Sequence, residues 1–220
     1  MPARAGAAAR DSHARCVGAA AAISLVLAML GGCSIGPTPR PSPSLHDFGI
    51  EAGAPASSVR LRSALAVPDP SAPGWLDTTS MIYRFANVEG GRPRQYADSR
   101  WAAPPVELLG ARLRSRLAPL LVPGLASSRD GVAPDHVLRI ELEEFTQVFD
   151  DASTSRGVLR ARVTLIEGAR RVTIAQRTFA LERPAPSADA AGGVAALAAA
   201  SDALVVELID WLVATLPAPG

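Results

Sequence analysis

Apolar and polar residues alternate most cleanly from Val137 to Asp150, where Leu138, Ile140 and Leu142 take one side and Arg139, Glu141 and Glu143 the other. A period of two predicts a strand with one buried face. After Glu143-Glu144 the phase changes, because Phe145 and Phe149 fall at odd positions. One extra residue there, a β-bulge, returns every apolar group to the core side. The next strand, Val158 to Glu167, buries Leu159, Ala161, Val163 and Leu165 and exposes Arg160, Arg162 and Thr164. A polar loop from Asp150 to Arg156 joins the two and sets Glu141 and Glu143 opposite Arg160 and Arg162 on the solvent face. Val172 to Glu182 completes an antiparallel meander.

Upstream, Ser57 to Val67 places Val59, Leu61, Leu65 and Val67 on one face of a further strand. Residues Met81 to Ala86 and Arg94 to Trp101 read as two strands around the hairpin composition Glu89-Gly90-Gly91-Arg92-Pro93. Pro104 and Pro105 suit the first turn of a helix whose apolar stripe is Val106, Leu109, Leu113, Leu117 and Leu120. Arg112 and Arg116 fall on its polar side, read as a solvated face, with an anion-binding surface as the alternative. After a Pro/Ala/Gly linker, Pro184 to Gly193, a last helix runs to about Leu216. Between Ala203 and Leu216 its only charges are Glu207 and Asp210. So apolar a helix must be covered, either by the sheet or, around Trp211, by a partner or an identical subunit. The expected fold is a single α+β domain, a mainly antiparallel sheet packed against two main helices, over residues 46–217.

The first segment has a different pattern. Arg4, Arg10 and Arg15 precede an apolar run from Val17 to Leu30, about 14 residues. A spanning helix needs roughly 20, so the run reads as the core of a signal peptide. It ends in Leu30-Gly31-Gly32-Cys33, which resembles the lipobox of bacterial lipoproteins. This implies cleavage between Gly32 and Cys33, with 1–32 as signal peptide and acylation of Cys33. Two or three acyl chains, at about 0.8 kcal/mol per buried methylene, anchor a protein to a membrane effectively permanently. Ser34 follows the cysteine, where aspartate favours inner-membrane retention, so the expected location is the outer membrane, periplasmic face. Pro37, Pro39, Pro41 and Pro43 then favour polyproline II. Residues 33–45 form the lipidated linker, whose stretch from Ser34 to Ser44 is a tether reaching some 30 Å at about 3.1 Å per residue.

Composition narrows the chemistry. A formal charge of +1, with basic and acidic residues interleaved, gives no reason to expect nucleic-acid binding. Cleavage would remove Cys16 and leave Cys33 as the only cysteine, so no intramolecular disulfide forms. Only His46 and His136 remain beside it, which argues against a Cys/His metal site or nucleophilic pair. No Gly-x-Ser-x-Gly elbow or phosphate-cradling glycine loop is present. Elimination favours a binding or scaffold role over an enzyme, with no cofactor.

Several stretches together resemble a known family. They are His46-Asp47-Phe48-Gly49-Ile50, where the family commonly has Tyr in place of His, then Trp75-Leu76-Asp77 and Met81-Ile82-Tyr83-Arg84. The most specific is Gln95-Tyr96-Ala97-Asp98-Ser99-Arg100-Trp101-Ala102-Ala103-Pro104-Pro105-Val106-Glu107-Leu108-Leu109. The chain is similar to the ABC-type transport auxiliary lipoproteins, outer-membrane partners of MCE-domain (mammalian cell entry) lipid transporters. The resemblance implies a periplasmic α+β domain that assists phospholipid transport between the two membranes, with an MCE protein and a permease–ATPase pair as partners; the apolar last helix adds a homo-oligomer as an alternative. The motif or partner-facing candidates are Tyr83, Arg84, Tyr96, Arg100, Trp101, Pro104, Pro105 and, from the last helix, Trp211. Aromatic and arginine side chains dominate interface hot spots. Tyr83 and Trp101 are equally suited to the core, which is favoured for both, and Tyr96 stays open. The alternative function is an assembly factor for another envelope complex, pilotin-like or lipopolysaccharide-transport-like.

Overall fold

The computed structural model describes residues 42–49, 60–88, 91–126, 131 and 133–216. The predicted signal peptide, Gly32, Cys33 and most of the tether lie outside them.

Seven strands form one sheet: β1 (Ser44–His46), β2 (Leu65–Ala66), β3 (Ser80–Phe85), β4 (Arg94–Trp101), β5 (His136–Phe149), β6 (Ser155–Glu167) and β7 (Thr173–Pro184). Their order is β1-β4-β3-β5-β6-β7, with β2 also pairing with β5. The α+β class holds, but the sheet is mixed. β5/β6, β6/β7 and β3/β4 are antiparallel, whereas β1/β4, β2/β5 and β3/β5 are parallel. The reason lies along β5. Its free edge is filled piecewise by β2 at His136–Val137, by Ser71 opposite Glu141, and by β3 at Gln147–Phe149. These short segments all run in the direction of β5.

The strand expected over Ser57–Val67 is corrected accordingly. Residues 51–59 are not described, and from Leu61 onward only Leu65–Ala66 is strand. The apolar alternation is real, since Leu61, Leu65 and Val67 are buried. The backbone, however, divides its bonds between two neighbours. Leu61 N donates to Leu120 O at 2.8 Å and His136 N donates to Ala64 O at 3.2 Å, so no continuous ladder forms.

The meander matches its pattern. Register shifts between Leu142 and Glu144, leaving Glu143 as the extra residue, and Phe145 regains the core side. Leu138, Leu159, Ala161, Val163 and Leu165 are fully buried.

The first helix, α1 (Pro105–Leu117), begins with Pro105 at its first position, where a missing N–H costs nothing. Glu107 in the first turn and Arg114 and Arg116 in the last complement its dipole. Pro119 converts its end to a 3-10 turn, Ala118–Leu120. Val106, Leu109, Leu113, Leu117 and Leu120 are buried as the spacing requires.

The second helix, α2 (Ala190–Thr215), starts inside the stretch expected to be linker. Asp189 caps it by accepting from Gly192 N at 2.8 Å, which holds the Asp189 carboxyl below the usual carboxylate range. By length and composition α2 is apolar enough to cross a membrane. In this fold Leu197, Leu204, Val205, Leu208 and Leu212 are buried in the same core as the strands. Two glycines set its distance from the sheet. A Cβ on Gly193 would lie 2.2 Å from Gln147 Oε1, and one on Gly157 would lie 2.8 Å from the Ala196 carbonyl carbon.

Candidate functional site

The predicted residues fall into two aromatic clusters and several isolated positions. Tyr83 and Tyr96 meet, with ring centroids 4.8 Å apart, and Phe85 and Phe149 join them at 5.6 and 5.7 Å from Tyr83. This half-buried cluster lies at the end of the sheet where α2 begins. Tyr96 donates its hydroxyl to Gln147 Oε1 at 2.7 Å, and Gln147 Nε2 donates to Ser155 Oγ at 2.8 Å and to the Asp189 carbonyl at 3.0 Å. Gln147 is fully buried, so its satisfied amide ties β5, β6, β4 and the α2 cap together. Burial, with smaller contributions from Tyr83 and Asp189, pushes the Tyr96 hydroxyl up to about 12.

Trp101 is in a different cluster. It is 1% exposed and packs edge-on to Phe48 at 5.7 Å and against Phe145 at 5.6 Å. Pro105 is also buried and Pro104 half-buried at the entry to α1. Buried in the domain, Trp101 and Pro105 offer no surface to a partner. They fix where β4 turns into α1, and Ala102 N donates to His46 O at 2.7 Å to hold β1 beside that turn.

Beside them lies Arg112, whose expected solvated position is corrected. Its side chain is 6% exposed. The guanidinium pairs with Asp202 of α2 at 2.5 Å, donates to the carbonyls of Phe48 and Gly49 at 2.8 and 3.0 Å, and lies 5.4 Å from the Phe48 ring centroid. The helical wheel placed it correctly relative to the leucine stripe, but α2 and the segment after β1 close over that side. A groove of 510 Å³ runs nearby, between β1 with its following segment and the small side chains Ala191, Ala195 and Ala198 of α2.

The remaining candidates are scattered. Arg84 is half-buried on the opposite face of the sheet, paired with Glu144 at 3.2 Å, bonded to Gly91 O at 2.6 Å and 5.1 Å from the Trp75 ring. Arg100 folds back on its own strand, donating to the carbonyls of Tyr96 and Ser99. Trp211 of α2 is half-buried, edge-on to Phe179 of β7 at 6.1 Å. Among the described residues these side chains lie on separate elements and do not converge.

Two arrangements escaped the sequence reading. Gln147 carried a signal, being polar at a position in phase with Phe145 and Phe149. Ser63 and His136 carried none. They lie 73 residues apart in sequence, yet Ser63 Oγ and His136 Nδ1 are 2.7 Å apart. Ser63 is only 7% exposed, and the contact fastens the β2 segment to the start of β5. Among the described residues, no group of three or more His, Cys, Asp or Glu side chains is placed to hold a metal ion.

Comparison with solved structures gives the same architecture in other proteins. A Xanthomonas campestris protein of the DUF330 family superposes with a TM-score of 0.68 at 21% identity, over 78% of this chain and 96% of that one. An uncharacterized protein superposes with a TM-score of 0.57 at 17% identity, over 78% and 99%. At these identities the likeness shows the fold alone. No curated protein sequence matches the chain. Residues 48–208 match the family described as ABC-type transport auxiliary lipoprotein component. That span runs from Phe48, in the Trp101 cluster, to Leu208 in the buried face of α2. The chain therefore belongs to the family of ABC-type transport auxiliary lipoproteins.

Proposed function

We propose that this chain is a non-catalytic, lipid-anchored subunit of an MCE-associated ABC transport system that moves lipid between the inner and outer membranes. The family match over residues 48–208 is the observation that carries the reading. Around it stand Leu30-Gly31-Gly32-Cys33, read as a site of cleavage and acylation, and the proline-rich stretch that follows. In this reading residues 1–32 are removed and Cys33 carries the acyl chains. Residues 33–45 then hold the domain, residues 46–217, on the periplasmic side of the outer membrane. The half-buried Tyr96, and Trp211 on α2, are its partner-facing aromatic groups.

Two measurements test this. Mass spectrometry of the native chain gives an amino terminus at Cys33 with diacylglycerol on sulfur; an intact leader and a free thiol would remove the anchor. Affinity purification from membranes recovers an MCE-domain protein or its permease. Recovery of a secretin or an outer-membrane barrel instead would place the chain in another envelope assembly.

A further inference from the structure

The β6–β7 hairpin ends in a tip that the proposed function does not use. Between Glu167 and Val172 lie four residues, Gly168-Ala169-Arg170-Arg171, closed by Glu167 N donating to Val172 O and Arg171 N to Glu167 O, both at 2.9 Å. Arg171 has a φ of 55°, the only positive value for a non-glycine among the described residues. Glycine or asparagine adopts that conformation at lower cost. Arg171 is exposed, and the Arg170 side chain is 78% exposed even while paired with Glu167. Next to them Val172 and Ile174 are 55% and 45% exposed, and Arg139 is exposed three residues along β5 from the end of the sheet. Aliphatic side chains flanked by the exposed Arg171 and Arg139, and by Arg170 whose charge is shared with Glu167, match the two layers of a membrane interface, apolar below and anionic at the headgroups.

We propose that this tip docks on a bilayer surface containing anionic phospholipid, Arg170 and Arg171 meeting headgroup phosphates while Val172 and Ile174 enter the interface. Register places the tip at the opposite end of the sheet from the β3–β4 loop and the start of α2. The strain retained at position 171 is explained if the guanidinium there is worth more than relaxed backbone geometry.

The test uses the full chain incorporated in nanodiscs of neutral phosphatidylcholine. Capture of vesicles is then measured, either equimolar phosphatidylglycerol and phosphatidylcholine or phosphatidylcholine alone. The anionic vesicles are captured preferentially, and capture weakens as salt is raised. Arg171→Gly lowers the capture constant about fivefold, the factor equivalent to about 1 kcal/mol per basic residue at an anionic surface. Its unfolding midpoint is no lower than that of the parent, because glycine relaxes the turn. Arg92→Ala, in the β3–β4 loop, leaves capture unchanged. Equal capture of both vesicles, capture of neither, or an Arg171→Gly variant that binds as the parent does each overturns the proposal. The mass of the incorporated chain reports acylation separately, so failure here and failure of the anchor are distinguishable.

Discussion

Strands β5, β6 and β7 run 14, 13 and 12 residues, whereas β1 to β4 run 3, 2, 6 and 8. In the first group each strand pairs with its neighbour in sequence, and long ladders hold it. In the second group only β3 and β4 pair as neighbours in sequence, and the other partners are distant: Ser44 lies opposite Ser99, Leu65 opposite His136 and Tyr83 opposite Gln147. Each such pairing closes a long loop for two or three rungs, which is a poor exchange of chain entropy for backbone bonds. The short-stranded half must therefore be held by side chains, and the Phe48–Trp101–Phe145 cluster and the Arg112 clamp are where that happens. One sheet thus has a half stabilised along its backbone and a half stabilised through anchors.

The largest effect should come from removing an anchor. Trp101→Ala takes away a fully buried indole between β1, β4 and β5 and is expected to cost about 3–5 kcal/mol, read by chemical denaturation. Hydrogen exchange sharpens the comparison: amides of β1, β3 and β4 lose protection while the centres of β6 and β7 retain it. Uniform loss across the sheet would mean that the two halves are one cooperative unit. Next comes Gly157→Val, which thrusts a side chain into the backbone of α2 at Ala196–Leu197. A cost of about 1–3 kcal/mol is expected from overpacking. Here the loss of protection falls on α2 and β7, the reverse of the Trp101 pattern.

The same division explains what was legible in the sequence. A two-sided strand with a solvent face writes its fold as alternation, so the meander, its bulge near Glu143 and the register of Arg160 and Arg162 were all readable. The leucine stripe and the Pro104-Pro105 start of α1 were equally local. The parallel pairings were not, because nothing in Leu65-Ala66 or Ser80–Phe85 specifies a partner many residues away. Arg112 failed for a related reason: its helix face was correctly assigned, but its cover comes from Asp202, 90 residues on. Of the candidate site, the tyrosines and Trp101 were identifiable as residues that matter. Their division between a half-buried cluster and a closed core depended on the crossing of α2, which the sequence does not encode locally.

Tyr96→Phe probes the junction of the halves more gently. It deletes one hydroxyl on the buried Gln147 amide, and a loss of about 1 kcal/mol is expected. A pH series gives a sharper signature. With the folded Tyr96 pushed up to about 12 from an ordinary 10.0, the unfolded chain releases its proton first. This contribution is fully present below pH 10 and declines as pH rises through 12. In Tyr96→Phe that increment of alkaline sensitivity disappears; an unchanged slope would show that burial does not hold the Tyr96 proton.

The smallest effect belongs to the solvent face of the meander. Arg160 pairs with Glu143 at 2.9 Å, and Arg162 also reaches Glu143 and lies 3.4 Å from Glu141. Both arginines are about half exposed, so water already screens them and each pair contributes less than about 1 kcal/mol. Arg160→Gln is therefore expected to change the unfolding midpoint by an amount near the limit of measurement. What it removes is a choice of register. Glu143 is the extra residue of the bulge, and two arginines converging on it favour the one alignment in which both Leu142 and Phe145 face the core. In the double variant Arg160→Gln, Arg162→Gln, stability stays close to the parent at low salt while exchange of amides around Glu143 quickens. A loss well above the sum of two exposed pairs would show that the ladder depends on these charges, removing the distinction between a half held by its backbone and a half held by anchors.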